Sequence, residues 1–386
     1  MRVSWGYLIL ELLICNARLL ALDSGRESLS DVLVREDKIV SICPAGAGQR
    51  ESRRVVQADG MYLLPGLIDF HTHLFRHGST FGMDADKLLT AGVTTAVDMG
   101  TAGWVNYPAL YHCDLSGKKL RLFSYLNISP VGQPGKGINE PLDDSVLDIG
   151  KMRELIEEYP KQICGIKVRI SRSIVKELGL TPLKRAVEFG EQLGLPVCVH
   201  TTDPPEGAEQ VAKLLRAGDV YSHVYHNKGS TILDQNGIVR SGLIDARERG
   251  VLMEVGNGRV NFSFPVAEKA AACHFWPDII SSDSTPATFH KEPAMWDLAA
   301  VMSKFLFLGM PLTEVIRAVT ETPAKQLGLA DKIGKVEPGY QADLILCRLK
   351  YGDVLFQDSD GNQRQGSQSI VPVTTIRSGQ IAYQAD

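Results

Sequence analysis

The chain has 386 residues, of which 44% are apolar and 22% charged, a composition typical of a soluble globular protein with one large barrel and a smaller unit, or with two ordinary domains. Its net charge of -4 and the lack of a long Lys/Arg run exclude an electrostatic basis for binding nucleic acid or an anionic membrane, so a small-molecule substrate is expected. Seven scattered cysteines without a Cys-x-x-Cys pair indicate a reducing, cytoplasmic location and argue against a disulfide framework or a thiolate zinc site.

The N-terminal segment predicts β-strands. Trp5–Cys15 is apolar but is interrupted by Glu11, and no other apolar span reaches the roughly 18 residues of a membrane helix, so neither a signal peptide nor a transmembrane segment is favoured. Leu8–Ala21 and Asp31–Ile42, separated by a turn at Asp23–Gly25, are interpreted as β-strands that pair within a sheet.

The central part of the chain repeats a strand and helix unit. Apolar runs alternate there with amphipathic or Ala/Leu/Glu-rich segments. After the opening run at Leu64–His73, they are Val93–Met99, Leu120–Ile128, Ile163–Ile170, Pro196–His200, Val220–His226, Val251–Val255 and Asp278–Asp283. Eight such units over about 250 residues predict an α/β fold, a (β/α)8 TIM barrel with its active site at the carboxyl ends of the strands. The alternative is a doubly wound open sheet, which would require a Gly-rich phosphate loop that the chain lacks.

The C-terminal segment returns to strands. Three apolar runs follow the barrel pattern, at Ala342–Leu349, Val373–Ile376 and Ile381–Tyr383, and the polar segment 357–368 is predicted to be a loop. These strands have no core of their own, so they are expected to pair with the N-terminal strands. The predicted domains are a β-sandwich of residues 1–60 and 333–386 and a barrel of residues 61–332.

Two histidines close the opening barrel strand. His71 and His73 follow the apolar run after Pro65-Gly66, and because strand side chains alternate, both point to the same face. Such a pair can bind a metal ion, whereas a single histidine would be interpreted as a core residue. Asp283 ends the eighth run, where it could cap a turn but could also bind a metal and move a proton.

The fourth strand carries two cations on one face. Lys167 and Arg169 alternate with the apolar Ile166 and Val168, so both are predicted to point toward the barrel mouth. The alternative is a solvated strand edge, but the apolar neighbours indicate a buried strand, in which an uncompensated lysine is costly.

Histidines also stand at the end of the fifth strand and in the sixth. His200 and His223 would each, taken alone, more often be core residues. Together with the pair on the first strand and Asp283, they favour metal ligation. His226 has the opposite parity to His223 and is predicted to point away from the ligands, behind them or at the surface.

The order of these residues resembles a known family. The ligand set His71, His73, Lys167, His200, His223 and Asp283, on strands one, four, five, six and eight, is similar to that of the amidohydrolase superfamily in its two-metal branch with a carboxylated lysine. The segments Gly165–Ser171 and Met302–Phe305 resemble deacetylase-type members that are described as dihydroorotase-like.

The resemblance implies both cofactors and mechanism. It implies two divalent metal ions, for which zinc suits the imidazole and carboxylate ligands, and a Lys167 converted to N6-carboxylysine, because an ammonium group cannot bind a cation. A hydroxide that bridges the metals would attack an amide or ester carbonyl. Asp283 is the expected catalytic proton shuttle from the water to the leaving group.

One departure from the family pattern narrows the range of expected substrates. Dihydroorotases resemble one another in an HxHxR motif whose arginine holds the substrate carboxylate, but Phe75 stands at that position here and Arg76 is out of phase. Arg169 is therefore the predicted substrate-binding residue, unless it pairs with a nearby acid and only supports the site. The expected substrate is a small acylated carboxylate, such as an N-acyl-amino acid or an acyl-hydroxy acid.

Alternative functions remain open from sequence. They are a cyclic amidohydrolase of dihydroorotase or dihydropyrimidinase type, a single-metal deaminase and a noncatalytic scaffold. A deaminase is expected to carry HxxE at the fifth strand, where Thr201–Asp203 follow His200, and a scaffold is expected to lose ligands, of which none is missing. The loops 256–261 and 285–293 are predicted to shape the pocket. A homo-oligomer is compatible with the sequence.

Overall fold

A computed structural model of the protein describes residues 11–48, 54–291 and 297–385. The first residues of the predicted N-terminal strand, up to position 10, lie outside this range. No helix in the described part is long and apolar enough to cross a membrane.

Strands and helices alternate through the middle of the chain. The strands are β1 (Glu11–Leu20), β2 (Glu27–Arg35), β3 (Lys38–Pro44), β4 (Arg54–Gln57), β5 (Tyr62–Pro65), β6 (Leu67–Thr72), β7 (Val93–Met99), β8 (Arg121–Asn127), β9 (Ile163–Arg169), β10 (Val197–His200), β11 (Val220–Ser222), β12 (Leu252–Glu254), β13 (Leu344–Gln357), β14 (Gln363–Arg377) and β15 (Gln380–Gln384). The α-helices are α1 (Tyr107–Leu110), α2 (Ile149–Glu158), α3 (Arg172–Val175), α4 (Thr181–Leu193), α5 (Ala208–Leu214), α6 (Ser241–Glu248), α7 (Phe264–Ala272), α8 (Leu298–Phe307), α9 (Leu312–Arg317) and α10 (Glu321–Gln326), with short 3₁₀ turns at Ala85–Ala91 and Lys176–Leu178 and a π turn at Tyr111–Leu115.

The barrel sheet is parallel and curls on itself. Strands β6 to β12 pair in chain order. The eighth run, 278–283, and the residue after it contact both edges through bridges of Ile279 to Glu254 and Ser284 to Thr72. The predicted (β/α)8 barrel is confirmed. Its strands are largely buried because helices cover one face and the barrel interior the other; all seven residues of β7 are buried.

The sixth barrel strand is shorter than its apolar run. The sequence predicts a strand over Val220–His226, but β11 ends at Ser222. His223 adopts a left-handed conformation with φ of 65°, which stops the strand ladder. The run stays buried beyond the strand, so hydrophobicity alone does not mark where pairing ends.

A second sheet joins the two chain ends. Its strands follow the order β15-β14-β13-β5-β1-β2-β3, with β4 beside β1, and its core includes Leu12, Val32, Leu344 and Ile376. The prediction of one small β-domain from both termini is confirmed, and the residue limits given above remain a prediction. β5 belongs to this sheet and leads directly into β6 through Gly66, where a Cβ would lie 2.3 Å from the Thr94 hydroxyl oxygen.

Two details of the terminal sheet differ from the sequence prediction. Asp31–Ile42 forms parts of two strands, because Glu36, with φ of 55°, turns the chain between β2 and β3. The predicted loop 357–368 is wrong, since β13 extends to Gln357 and β14 begins at Gln363. The outer part of the β13–β14 hairpin is largely solvent-exposed. Its strands therefore carry polar residues, and their sequence resembles that of a loop.

The tip of the β13–β14 hairpin fastens the loop before α7. The Phe264 N–H donates to Asp358 Oδ2 over 2.9 Å, and the Phe262 N–H donates to Ser359 Oγ over 3.1 Å. The Ser359 N–H in turn donates to the Phe262 carbonyl over 3.0 Å. The terminal sheet therefore supports a loop at the carboxyl end of the barrel.

Removal of the Asp358 carboxylate should loosen this attachment. Asp358 is 1% exposed and also accepts the N–H groups of the exposed Asp360 and Asn362. Asp358→Ala leaves the buried Phe264 N–H unpaired and should cost about 1–3 kcal/mol of unfolding free energy. Urea denaturation measures the loss. Asp353→Ala, at an exposed position on β13, is the matched control, and equal midpoints for the two variants would contradict the supporting role.

Candidate active site

A cavity of about 880 Å³ opens at the carboxyl end of the barrel strands. It is lined by every residue that the sequence singled out for the site, namely His71, His73, Lys167, Arg169, His200, His223 and Asp283. Residues up to 212 positions apart in the chain thus meet because parallel strands end at one face of the barrel.

The first and eighth strands bring two imidazoles to one carboxylate. His73 Nε2 lies 3.1 Å from Asp283 Oδ1, and His71 Nε2 lies 3.8 Å from the same oxygen. Both histidines are buried. The pair therefore points to one side, as strand alternation predicts, and Asp283 faces it across the barrel end.

Two of the site residues have strained backbones. His223 and Asp283 have φ of 65° and 52°, a region that residues other than glycine rarely adopt. Each residue follows an apolar run, and the left-handed conformation turns its side chain into the cavity. Such strain costs about 1–3 kcal/mol per residue and is concentrated at functional sites.

Hydrogen bonds orient three of the histidines. His73 Nδ1 lies 2.8 Å from Thr101 Oγ1, His223 Nδ1 donates to the Gly256 carbonyl over 2.8 Å, and His71 Nδ1 lies 3.3 Å from the Glu254 carboxylate. With Nδ1 engaged, the Nε2 atom of each ring is available to a metal ion.

The electrostatics favour uncharged imidazoles. Burial lowers the pKa of His71 and His200 well below the usual value, and it lowers the pKa of His223 to about 3. Neutral imidazole is the form that binds metal. Burial alone would raise the pKa of Asp283, but His71 and His73 hold it below its usual range, so the carboxylate is ionised at neutral pH.

Lys167 lies in the middle of this group. It is 1% exposed, and its Nζ lies 3.5 Å from Cys198 Sγ; with the acids of the described residues it forms no ion pair. Gly100, at φ of 73°, makes room for it, because a Cβ there would lie 2.4 Å from Lys167 Cβ. A buried amine without a counterion is costly as an ammonium.

The donor set fits divalent metal ions. Ligand atoms of His71, His223 and Asp283 all lie within 4.8 Å of one another, and His200 is next to this group, with its ring centroid 4.3 Å from that of His223. Neutral imidazoles with one carboxylate form the ligand chemistry that zinc and similar ions prefer.

Arg169 is paired with an acid that the sequence analysis missed. Its Nε and Nη2 lie 3.2 Å and 2.6 Å from the two carboxylate oxygens of Glu140. Burial raises the pKa of Glu140 although Arg169 opposes this effect. Glu140 lies in the loop after β8, where no periodic pattern identifies a contact across the barrel mouth.

Two further residues support the site from behind. Glu254, whose pKa is raised by burial, is an acid inside the apolar run Val251–Val255, a signal that was present in the sequence. Asn261 Nδ2 donates to Asp283 Oδ2 over 2.9 Å, and Thr202 Oγ1 donates to Asn261 Oδ1 over 2.8 Å. Asp283 is thereby held at both oxygens.

Other predicted features lie away from the ligands. His226 is buried, not at the surface, and its Nδ1 accepts the Lys228 N–H over 3.2 Å. Phe75 is buried beside Gly78, where a Cβ would lie 2.1 Å from its ring, and neither it nor the exposed Arg76 lines the cavity.

The loops after strands seven and eight do reach the pocket. Arg259, Val260 and Asn261 from the first loop and Thr285 and Ala287 from the second line the cavity. Residues 292–296, which include the end of the predicted second loop, lie outside the described part of the chain.

Sequence comparison adds independent information. The model of the amidohydrolase family matches residues 62–382. A deacetylase from Enterococcus faecalis is 31% identical over 355 residues, which cover 91% of this chain and 94% of the relative.

Structure comparison gives two neighbours over nearly the full length. A crystal structure of an adenine deaminase superposes with a TM-score of 0.88 at 29% identity and covers 97% of this chain and 99% of the neighbour. A crystal structure of a dihydroorotase has a TM-score of 0.86 at 28% identity, with 96% and 97% covered.

Proposed function

The chain belongs to the amidohydrolase family, and on that premise we propose that it hydrolyses an amide or ester bond in a small acylated substrate that bears a carboxylate. N-acyl-amino acids and acyl-hydroxy acids are the proposed classes. The observation that carries the proposal is that Arg169 opens into the same cavity as the imidazoles and Asp283, so one end of a small substrate can be held while its carbonyl is attacked.

The general class of the reaction follows from family membership. The protein is a hydrolase acting on carbon–nitrogen bonds other than peptide bonds, of the amidohydrolase and deacetylase type. Enzymes of this family generally use divalent metal ions, and the protein has a candidate site for them.

We assign the metal ligands from the donor set of the cavity. The proposed ligands of two divalent metal ions, with zinc as the proposed element, are His71, His73, Lys167 as N6-carboxylysine, His200, His223 and Asp283. The chemistry that such ions supply is Lewis acidity, which lowers the pKa of water and polarises a carbonyl. Lys167 is suited to carboxylation because its amine is buried and lies next to the Cys198 thiol, with no ion pair to an acid of the described residues.

Asp283 is the proposed catalytic proton shuttle. Its Oδ1 faces His71 and His73, whereas its Oδ2 accepts from Asn261, so the carboxylate is held in one orientation at the cavity wall. It is ionised before reaction and can take the proton of the attacking water. It then gives that proton to the leaving nitrogen or oxygen, which completes hydrolysis.

Arg169 is the proposed anchor for the substrate carboxylate. Glu140 engages Nε and Nη2 and holds the guanidinium plane at the cavity wall, and Nη1 takes part in neither contact. A substrate carboxylate can approach that atom while the scissile carbonyl lies over the ligands. The pairing with Glu140 equally suits a purely supporting role, and an arginine substitution separates the two.

A cyclic amidohydrolase is the second candidate. The dihydroorotase neighbour matches 96% of this chain, but the loop after the first barrel strand brings neither Phe75 nor Arg76 to the cavity. A cyclic substrate would have to be held by Arg169. A deaminase is less favoured because Thr201–Asp203 replace the expected HxxE pattern. A scaffold is less favoured because all six ligand positions carry the expected residue types.

The cellular location and the partners of the enzyme are also proposed. We propose that it acts in the cytoplasm on a small molecule, without a nucleic acid or membrane partner. The thiols of Cys43, Cys113, Cys164, Cys198 and Cys273 are free, as expected in a reducing compartment. A homo-oligomer is compatible with the proposal.

Replacing Lys167 tests the carbamate. Lys167→Ala should lose metal and activity together, and short carboxylic acids should restore part of both, because they can replace the missing bridge. Metal analysis and hydrolysis assays on the same preparation measure this. Lys161→Ala, at an exposed position before the strand, should retain both; two bound metals and full rate in Lys167→Ala would contradict the bridging role.

Replacing Asp283 tests the proton shuttle. Asp283→Asn keeps an oxygen at the ligand position but removes the base, so the rate should fall by roughly 100-fold or more while the metal content falls less. Parallel measurement of kcat and bound metal decides. An acidic limb of the pH profile that persists unchanged in a residually active variant would show that another group is the base.

Replacing Arg169 tests the anchor. Loss of one charged hydrogen-bond partner costs about 1.5–3 kcal/mol, so Arg169→Met should lower kcat/KM by about 10- to 150-fold for carboxylated substrates and much less for neutral esters. Arg153→Met, at an exposed position on α2, is the control. Equal losses on charged and neutral substrates would assign Arg169 to support of Glu140 and the site.

A further inference from the structure

The mouth of the active-site cavity carries more positive charge than the proposed chemistry uses. Four exposed cations line it, Lys136, Lys176, Lys228 and Arg259. Each comes from a different loop, after the third, fourth, sixth and seventh barrel strands. Among the acids of the described residues, none forms an ion pair with any of the four.

The acids of the cavity do not balance this rim. Glu140 is occupied by Arg169, and Asp283 is held among histidines and Asn261. The third lining acid, Asp203, lies 3.5 Å from Arg172, which is not itself part of the lining. The whole chain has a net charge of -4, so a positive mouth opposes the overall sign and is not a general surface property.

Lys176 is held at the rim at a conformational cost. Its φ of 49° and ψ of -122° lie in a region that glycine adopts without strain and that costs other residues about 1–3 kcal/mol. The conformation ends α3 and leaves the lysine exposed at the cavity. Strain of this kind at a pocket is typical of a functional position.

The size of the cavity leaves room beyond a small monoanion. Its volume of about 880 Å³ is near the upper end of the range of about 300–1,000 Å³ that holds drug-sized ligands. A short acyl-amino acid bound between Arg169 and the ligand cluster would therefore leave the outer part, next to the four cations, unfilled.

We propose that the preferred substrate is a dianion, with one carboxylate at Arg169 and a second anionic group at the rim formed by Lys136, Lys176, Lys228 and Arg259. This inference rests on the proposed hydrolase function and specifies its substrate class. The second anion can belong to the side chain of an acylated acidic amino acid or to a dicarboxylic acyl group. Unpaired exposed cations also steer anions toward a cleft and raise the association rate.

Isosteric substrates test the proposal. We expect metal-loaded enzyme to prefer N-acetylglutamate to N-acetylglutamine, or N-succinylalanine to N-butyrylalanine, by about 10-fold or more in kcat/KM. Each hand of the amino acid is assayed. The first pair places the second anion on the side chain and the second pair places it on the acyl group, so the pair that shows the preference identifies the source.

Rim variants connect the preference to these residues. An exposed charge contributes about 2- to 5-fold, so Lys176→Gln combined with Lys228→Gln should lower the ratio of kcat/KM for the dianion to that for its neutral isostere by about 5- to 20-fold. The matched control removes two exposed cations elsewhere, Lys325→Gln with Lys350→Gln, and should keep the ratio. Calorimetric titration with glutarate gives a readout without turnover, and its affinity should fall in the rim variant only.

The possible outcomes distinguish failure of the dianion proposal from failure of the proposed hydrolase function. If neutral isosteres are hydrolysed as well as dianions, and the rim variant does not change the ratio, the dianion proposal is overturned while the hydrolase function stands. If glutarate binds in a rim-dependent manner but no acyl compound is hydrolysed, the rim binds dianions and the proposed function fails. Glutarate affinity that is equal in the rim variant and the wild type would also overturn the rim assignment.

Discussion

Six side chains that water would solvate well are instead enclosed at one end of a barrel, and the rest of the structure keeps them there. Four imidazoles, one carboxylate and the Lys167 amine have lost most of their contact with solvent. Burial lowers the pKa of His71, His200 and His223. The Lys167 amine forms no ion pair with the acids of the described residues. Burial of so many polar groups is costly unless they find partners. The imidazoles of His71 and His223 with the carboxylate of Asp283 form a candidate site for a divalent metal ion.

The surrounding hydrogen bonds fix the orientation of these buried side chains. Thr101, Glu254 and the Gly256 carbonyl each hold the Nδ1 atom of one histidine, while Asn261 holds the outer oxygen of Asp283. Behind the loop that carries Asn261, the hairpin of the terminal sheet binds Phe262 and Phe264. The small β-domain thus contributes to the site through these hydrogen bonds, although none of its described residues lines the cavity.

Charge is layered from the floor of the cavity to its mouth. The floor is occupied by imidazoles around Asp283, and the pKa of His71, His200 and His223 is lowered by burial. The wall holds the Arg169 and Glu140 pair, and the rim carries exposed cations. A charge buried near the floor would interact strongly with a bound ion, whereas rim charges act through water and mainly set which substrates approach.

The sequence by itself determined the barrel and the side chains that gather at its carboxyl end, because strand alternation and strand order are local properties that a single chain displays. His71, His73, Lys167, His200 and Asp283 could be selected in this way. Tertiary structure alone decided the partners that cross between loops, such as Glu140 for Arg169 and Asn261 for Asp283, since loop residues have no period that relates them to a distant strand. It also decided that much of the polar 357–368 segment belongs to the β13–β14 hairpin, and that His223 follows its strand and does not lie within it. The reason is that solvent exposure and backbone conformation depend on what the chain packs against.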